Sequence, residues 1–147
     1  MSLAALLTWL ITATGGLYLL AIWLIEYDRE FQAVVATRLP VPVISAHALL
    51  AMTGLALWAG YLLTGAERLA WAAAVLLAIV AALGVTMGVR WITVYRTPAQ
   101  ATGPGGHGRA AVPPERHFPL PVVIGHGLFA AATITLVLLT AFGEGGS

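Results

Sequence analysis

The chain contains no cysteine and no lysine, and charged residues make up only 9% of its 147 positions. Without cysteine it can form neither disulfides nor thiolate ligands, so a bound metal must be held by histidine, methionine or oxygen atoms. Hydrophobic residues account for 60% of the chain and the mean hydropathy is +0.92. These values are too apolar for a soluble domain of this size, and they predict an integral membrane protein.

Long apolar runs dominate the sequence. Four of them, 3–25, 41–63, 69–94 and 120–142, are each long enough to cross a hydrocarbon core of roughly 30 Å, which takes about 20 helical residues. The first run has no preceding arginine and ends in charged residues, which favours a membrane helix over a cleavable signal peptide. We therefore expect one all-α membrane domain over 1–147, a four-helix transmembrane bundle with a flexible loop at about 97–116.

A short segment occurs twice, at 39–49 and at 118–128. Both copies read apolar-Pro-x-Pro-Val, and in both a histidine lies five residues after the second proline, His47 in one and His126 in the other. Proline is tolerated in the first turn of a helix, so each Pro-x-Pro marks where a span begins. The pattern predicts two histidines at one depth, on helices that run the same way and face each other.

A second repeat links the other two spans. A glycine, a tryptophan seven residues later and a tyrosine four residues after that recur at matching positions: Gly16, Trp23 and Tyr27, and Gly84, Trp91 and Tyr95. The chain is therefore predicted to be a duplicated two-helix hairpin with a pseudo-twofold axis along the membrane normal. We expect the aromatic residues to form an interfacial belt rather than the wall of a cofactor site.

The arginines predict the orientation. Six of the seven lie on the side of the first and third connections, and only Arg68 lies on the other side. Because arginine near helix ends is retained in the cytoplasm, these two connections are expected to be cytoplasmic, with both termini on the non-cytoplasmic side. His47 and His126 then lie near the inner face of the membrane.

A histidine inside a membrane span is costly unless it has a partner, which can be no more than an interhelical hydrogen bond. Here two matched histidines are flanked by small residues that leave room for a flat porphyrin, although small residues also occur wherever membrane helices pack closely. The pattern predicts that His47 and His126 bind the metal of a haem. The small neighbours are Ser45, Ala46, Ala48, Ala51, Gly125, Gly127, Ala130 and Ala131.

Arg90 lies within the third span and needs an anionic partner. A haem propionate is one candidate; Glu26 and lipid headgroups are the others. Farther toward the surface, Arg38, Arg96 and Arg116 are additional candidates for the propionates. The remaining histidines, His107 and His117, match no established metal-ligand spacing and are expected to be surface residues without a metal.

Four spans with facing histidines resemble small four-helix membrane-embedded b-type cytochromes, in which histidines from different helices bind haem. The resemblance implies haem b, held by His47 and His126 near the cytoplasmic face of a bacterial cytoplasmic membrane. Two-haem members of that class carry four ligand histidines on both membrane sides, whereas no histidine here lies near the outer face, so one haem is expected.

The resemblance further implies a carrier that exchanges electrons with a quinol or with other subunits of a redox complex, within the lipid bilayer and without nucleic acid. No catalytic constellation is visible, which favours an electron carrier over a stand-alone enzyme. Two alternatives remain open at this point. One is a structural or assembly subunit of a larger membrane complex, and the other is a small haem-handling carrier.

Overall fold

The computed structural model of the chain describes residues 1–31, 37, 39–96 and 113–144. Within these ranges the chain is helical and contains no strand. The long helices are α1 (Ser2–Phe31), α2 (Val41–Thr64), α3 (Glu67–Arg96) and α4 (Leu120–Glu144), and a short 3₁₀ turn (Pro114–His117) precedes α4. All four long helices contain segments long and apolar enough to cross a membrane, which confirms the prediction of four helices of membrane-spanning length and composition.

Prolines mark the first turns of α2 and α4. The Pro40 carbonyl accepts a hydrogen bond from the Ile44 N–H at 3.2 Å, and the Pro119 carbonyl accepts one from the Val123 N–H at 3.1 Å. A proline also lies within the first two residues of each helix, where its missing N–H costs no intrahelical bond. The two helices therefore begin at matching positions in the two copies of the repeat.

A two-residue turn joins α2 to α3. Gly65 adopts a left-handed conformation with φ of 68°, and its N–H donates to the Tyr61 carbonyl at 2.8 Å. Glycine adopts this conformation without the steric cost that a Cβ atom brings, so α2 can end abruptly and α3 can begin at Glu67. The connection between these two helices is therefore tight.

The helices associate as two pairs. Helix α1 packs along α4 and α2 packs along α3, while contacts between the pairs are sparser. Near the Gly65 turn, Trp58 donates its Nε1–H to the Ser2 carbonyl at 3.2 Å, and the Trp71 ring meets Phe142 edge-on at 5.0 Å. One end of the bundle thus contains the start of α1, the end of α2, the start of α3 and the end of α4. We call this the turn end, and the opposite end the connection end.

The hydrophobic core lies at the turn end. Alanines on α3 allow close approach of its neighbours, a common device where membrane helices pack. Gly54 has the same effect on α2, since a Cβ atom there would lie 3.0 Å from Cζ2 of Trp9. The bundle is closed at this end. Its buried cluster consists of Ala5, Trp9, Trp58, Tyr61, Ala70, Ala73, Ala74, Leu77 and Val137.

Large apolar side chains cover the outside of the bundle. Leu49, Val85 and Leu128 are each exposed to about two thirds of their full area, at 69%, 67% and 67%. Exposure on this scale is unfavourable in water but suits contact with lipid tails. The helices are therefore consistent with residence in a bilayer.

Two features differ from the sequence prediction. Helix α1 continues to Phe31, beyond the expected end of the first span at residue 25. The last part of the loop expected at 97–116 is folded, because Pro113 and Pro114 restrict the backbone at the start of the 3₁₀ turn and Glu115 is fully buried. Residues 97–112 lie outside the described residues.

Candidate functional site

A cavity of about 520 Å³ separates the α1–α4 pair from the α2–α3 pair. Its volume falls within the range of small-molecule and cofactor pockets. The cavity reaches from Trp9 near the core to Trp23 and Trp91 near the connection end. Trp9 and Trp23 both lie on α1, roughly 21 Å apart along the helix. Its walls are almost entirely apolar, apart from two histidines and two threonines.

His47 and His126 face this cavity from α2 and α4. Each is the seventh residue of its helix, so both lie at the same distance from the helix start. Their ring centroids are 6.3 Å apart and their planes are inclined by 57°. The structure thus brings together the two histidines that the sequence pairs.

The Nδ1 atom of each ring is bonded to the backbone of a neighbouring helix. His47 Nδ1 lies 3.0 Å from the Val80 carbonyl oxygen on α3, and His126 Nδ1 lies 2.9 Å from the Thr12 carbonyl oxygen on α1. A carbonyl oxygen only accepts, so Nδ1 donates in both bonds and Nε2 of the neutral ring carries a lone pair. Among the described residues, no group is bonded to either Nε2. Two such acceptors cannot hydrogen-bond to each other.

Two glycines let the imidazoles approach the neighbouring helices. A Cβ atom on Gly16 would lie 3.0 Å from His126 Cε1, and one on Gly84 would lie 3.1 Å from His47 Cε1. In each case the ring bonds to the carbonyl four residues before the glycine. The same contact therefore occurs twice, once in each helix pair. Both glycines belong to the repeat found in the sequence, but the sequence does not predict that they contact the histidines.

The small residues predicted to make room around the histidines divide into two groups. One group borders the cavity: Ala48, Ala51, Gly127, Ala130 and Ala131. The other, Ser45, Ala46 and Gly125, does not border it. A Cβ atom on Gly125 would meet nothing within 4 Å, so this glycine is not required by close packing.

The candidate propionate partners lie outside the cavity wall. Arg90 and Arg96 have exposed side chains on α3, and the half-buried Arg116 donates from Nη1 to the Val94 carbonyl at 3.3 Å. Arg38 lies outside the described residues. No arginine of the described ranges borders the cavity, and pairing with propionates remains a prediction for Arg90, which immediately precedes a wall residue.

The other two histidines are not part of this site. The exposed His117 lies in the 3₁₀ turn, where its Nδ1 is 4.0 Å from a carboxylate oxygen of Glu26. His107 lies outside the described residues. The structure thus separates His117 from the paired histidines and places it at the connection end of α1.

The interfacial-belt prediction is wrong for Trp23 and Trp91, which are only 4% and 7% exposed and border the cavity. A buried indole N–H needs an acceptor, and both find one within the protein. Trp23 Nε1 donates to Thr37 Oγ1 at 3.2 Å, and Trp91 Nε1 donates to the Glu115 carbonyl at 3.1 Å. Sequence reasoning missed Thr37 and Glu115, because only the fold brings their distant segments together.

Comparison of the chain with known protein families, with curated proteins and with solved structures gave no match. A function for this chain must therefore follow from its own residues. The relevant features are the apolar cavity, the two fixed imidazoles and the hydrogen-bonded tryptophans at the connection end.

Proposed function

We propose that the chain is a membrane electron-transfer protein that binds one haem b between its two helix pairs, with His47 and His126 as axial ligands. The observation that carries this proposal is the pair of imidazoles facing one cavity, each with Nδ1 fixed by a backbone carbonyl and Nε2 left as an acceptor. Bound there, haem would supply a one-electron redox centre.

The spacing of the rings fits a shared metal. A metal–imidazole bond is about 2.0–2.1 Å long, and a ring nitrogen lies roughly 1.2 Å from its ring centroid, so two imidazoles holding one metal from opposite sides would have centroids about 6.4–6.6 Å apart. The ring centroids of His47 and His126 are 6.3 Å apart, slightly less than this separation. The carbonyl bonds at Nδ1 also match the usual arrangement around ligating histidines, in which the second nitrogen is held by an acceptor.

The number of ligands favours haem over a bare metal ion. In the described parts of the chain, no group of three or more histidine, aspartate or glutamate side chains could hold a metal. Protein zinc sites use three or four such ligands, whereas a porphyrin supplies four equatorial nitrogens and needs only axial ligands from the protein. Two histidines are sufficient for that purpose.

The cavity favours one direction for the polar edge of the porphyrin. The turn end is closed by the core around Trp9 and Trp58, which offers no site for two carboxylates. The propionates would therefore point toward the connection end. Arg90 lies near that end, one residue before Trp91, within the last two turns of α3.

The residues of the chain have distinct roles in this proposal. His47 and His126 would hold the iron, and the carbonyls of Val80 and Thr12 fix the orientation of the two rings. Gly84 and Gly16 have no Cβ atom, so they leave space for the rings of His47 and His126 respectively. The apolar walls exclude water and provide a low-dielectric environment, which is one means by which proteins tune a haem potential.

The position of the arginines supports placing this site near the cytoplasmic face, with both termini outside the cytoplasm. The matched contacts in the two helix pairs support the origin of the bundle as a duplicated hairpin. One haem near one face cannot carry an electron across the whole membrane. We therefore propose exchange with a quinol or a partner subunit in a bacterial cytoplasmic membrane.

A structural role is the second candidate, and a specific observation favours it. The His47–Val80 bond joins α2 to α3, and the His126–Thr12 bond joins α4 to α1, so both histidines stabilise helix pairs without any cofactor. These two interhelical hydrogen bonds would be sufficient in a subunit that serves the assembly of a larger complex. A haem-handling carrier would use the same imidazoles but hold its cargo only transiently.

The colour of the purified chain separates these candidates. An electron carrier isolated from haem-replete cells should show a Soret band and, on reduction, sharp α and β bands at one haem per chain. A folded but colourless chain would contradict the haem proposal and favour assembly. Partial occupancy, with rapid transfer of haem to an apo-globin acceptor, would favour the haem-handling carrier.

A further inference from the structure

A continuous chain of hydrogen bonds crosses the connection end of the cavity. Trp23 Nε1 donates to Thr37 Oγ1 at 3.2 Å, Thr37 Oγ1 donates to Glu115 Oε2 at 3.0 Å, and Trp91 Nε1 donates to the Glu115 carbonyl at 3.1 Å. We call these four residues the end bridge. It joins α1 to α3 through two connections that are 78 residues apart in sequence.

The Thr37 hydroxyl is saturated by the end bridge. Its two lone pairs accept from Trp23 Nε1 and from the Leu39 N–H, the latter at 3.1 Å. Its single hydrogen can reach the Leu39 carbonyl at 3.3 Å or the Glu115 carboxylate at 3.0 Å. The Glu115 carboxyl oxygen is the closer of the two acceptors, so we assign the hydrogen to it. Thr37 thus links a tryptophan of the cavity wall to a fully buried acid.

The end bridge lies where a ligand of the cavity must pass to reach water. Both of its tryptophans border the cavity, and so do Leu39 and Phe118, which directly precede the proline starts of α2 and α4. The opposite end is occupied by the hydrophobic core, and the exposed side chains along the sides of the bundle are apolar and suit contact with lipid. A ligand with charged groups therefore has its aqueous route through the connection end.

We propose that Thr37 and Glu115 are positioning residues that hold Trp23 and Trp91 across the mouth of the cavity and so control the entry and release of its ligand. This inference rests on the proposed function only for the identity of the ligand, a flat porphyrin with two carboxylates. The bridge itself follows from the hydrogen bonds and from the burial of Glu115.

The test uses the natural absence of cysteine. A single Gly88→Cys substitution places a thiol on the cavity wall one turn before Trp91, at a position where a Cβ atom meets nothing within 4 Å. The haem-free chain, in phosphatidylcholine vesicles, is treated with a charged methanethiosulfonate reagent. Its charge prevents approach through lipid, so the rate of thiol modification measures access from water.

Thr37→Val keeps the shape of the side chain but removes the hydroxyl, and Thr37→Ser keeps the hydroxyl. We expect Thr37→Val to speed modification of the cavity thiol about tenfold, the factor expected when a buried hydrogen bond is lost and its acceptor keeps no replacement for that donor. Thr37→Ser should retain the slow rate. A Leu63→Cys thiol, at a site 87% exposed near the turn end, should react at one rate in all three backgrounds.

Equal rates for the valine and serine variants at the cavity thiol would overturn the end bridge as a control of access. Haemin should slow modification of the cavity thiol if the ligand is haem. Faster modification in Thr37→Val without any protection by haemin would retain the end bridge and refute the haem proposal. The two ideas therefore fail in distinguishable ways.

Discussion

Each of the paired histidines packs against a glycine of the neighbouring helix, and the absence of a Cβ atom on that glycine determines how closely the ring can approach. Gly84→Ala would bring a Cβ atom to 3.1 Å from His47 Cε1, and Gly16→Ala would bring one to 3.0 Å from His126 Cε1. The rings would have to shift, and with them the Nδ1 bonds to the carbonyls. We expect either variant to weaken haem binding about tenfold, since overpacking typically costs about 1–3 kcal/mol.

Gly125→Ala is the matched control, because its added methyl group meets nothing within 4 Å. All three variants gain the helix propensity of alanine, so weaker helices cannot explain a loss of haem in the first two. Titration of the haem-free chain with haemin measures the affinity. Equal affinities for Gly84→Ala and Gly125→Ala would contradict the assigned packing of His47.

Arg90 provides a second prediction at the scale of a single residue. If its guanidinium binds a propionate, Arg90→Leu should speed haem loss or change the midpoint potential while the spectrum stays low-spin, because both iron–imidazole bonds remain. Haem transfer to an apo-globin and a redox titration measure these two properties. Unchanged release and potential, with a less stable haem-free chain, would indicate a structural partner for Arg90 instead.

At the scale of the helices, the closed turn end and the separated connection end should respond differently to the same substitution. Gly54→Ala places a methyl group 3.0 Å from the Trp9 ring, about two helical turns beyond His47 on α2, and the nearest atoms belong to Trp9 and Leu76 rather than to a histidine. We expect it to destabilise the bundle by about 1–3 kcal/mol through overpacking, partly offset by the better helix propensity of alanine. The haem spectrum should not change.

Thermal unfolding in detergent, followed by circular dichroism, measures this effect. Gly143→Ala is a suitable control, since its methyl group has open space around it and should leave the unfolding temperature unchanged or raise it slightly. A Gly54→Ala variant as stable as this control would mean that Trp9 does not pack tightly against α2.

The helices themselves could be predicted from the sequence, because length, hydropathy and the proline and glycine signals at their ends are local properties. Pro40 and Pro119, which belong to the two predicted start signals, directly precede α2 and α4. The extension of α1 to Phe31 was missed, since its last turns are polar and the prediction relied on apolar length. The 3₁₀ turn at Pro114–His117 was missed because a loop rich in proline and glycine has no periodic pattern.

At the scale of the whole molecule, the repeat correctly indicated which histidines meet, since His47 and His126 follow equivalent helix starts. It could not reveal which helix would pack beside each histidine. The contact of His126 with Gly16, and the bond between Thr37 and Glu115, join residues that are far apart in the chain. Such contacts depend on the pairing of α1 with α4 and of α2 with α3, which hydropathy alone does not determine.

The orientation in the membrane is a further prediction for the whole molecule. Since six of the seven arginines belong, in sequence, to the side of the first and third connections, a reporter fused after Ser147 should be active outside the cytoplasm. A reporter inserted near Pro104 should be active inside it. The reverse pattern would place the cavity mouth at the non-cytoplasmic face and would change the side on which a redox partner must bind.

Shared ligation of one iron by His47 and His126 is the premise on which the proposed electron transfer depends. We therefore expect the wild-type chain to show a low-spin haem spectrum, and His47→Ala or His126→Ala to convert it to a high-spin spectrum or lose the haem. Added imidazole should restore the low-spin form wherever haem is retained, and His117→Ala should match the wild type. The most direct measurement is thus the absorption spectrum of these four proteins in the oxidised and reduced states. A low-spin spectrum that survives the loss of either paired histidine, or a folded wild-type chain that binds no haem, would contradict the central claim.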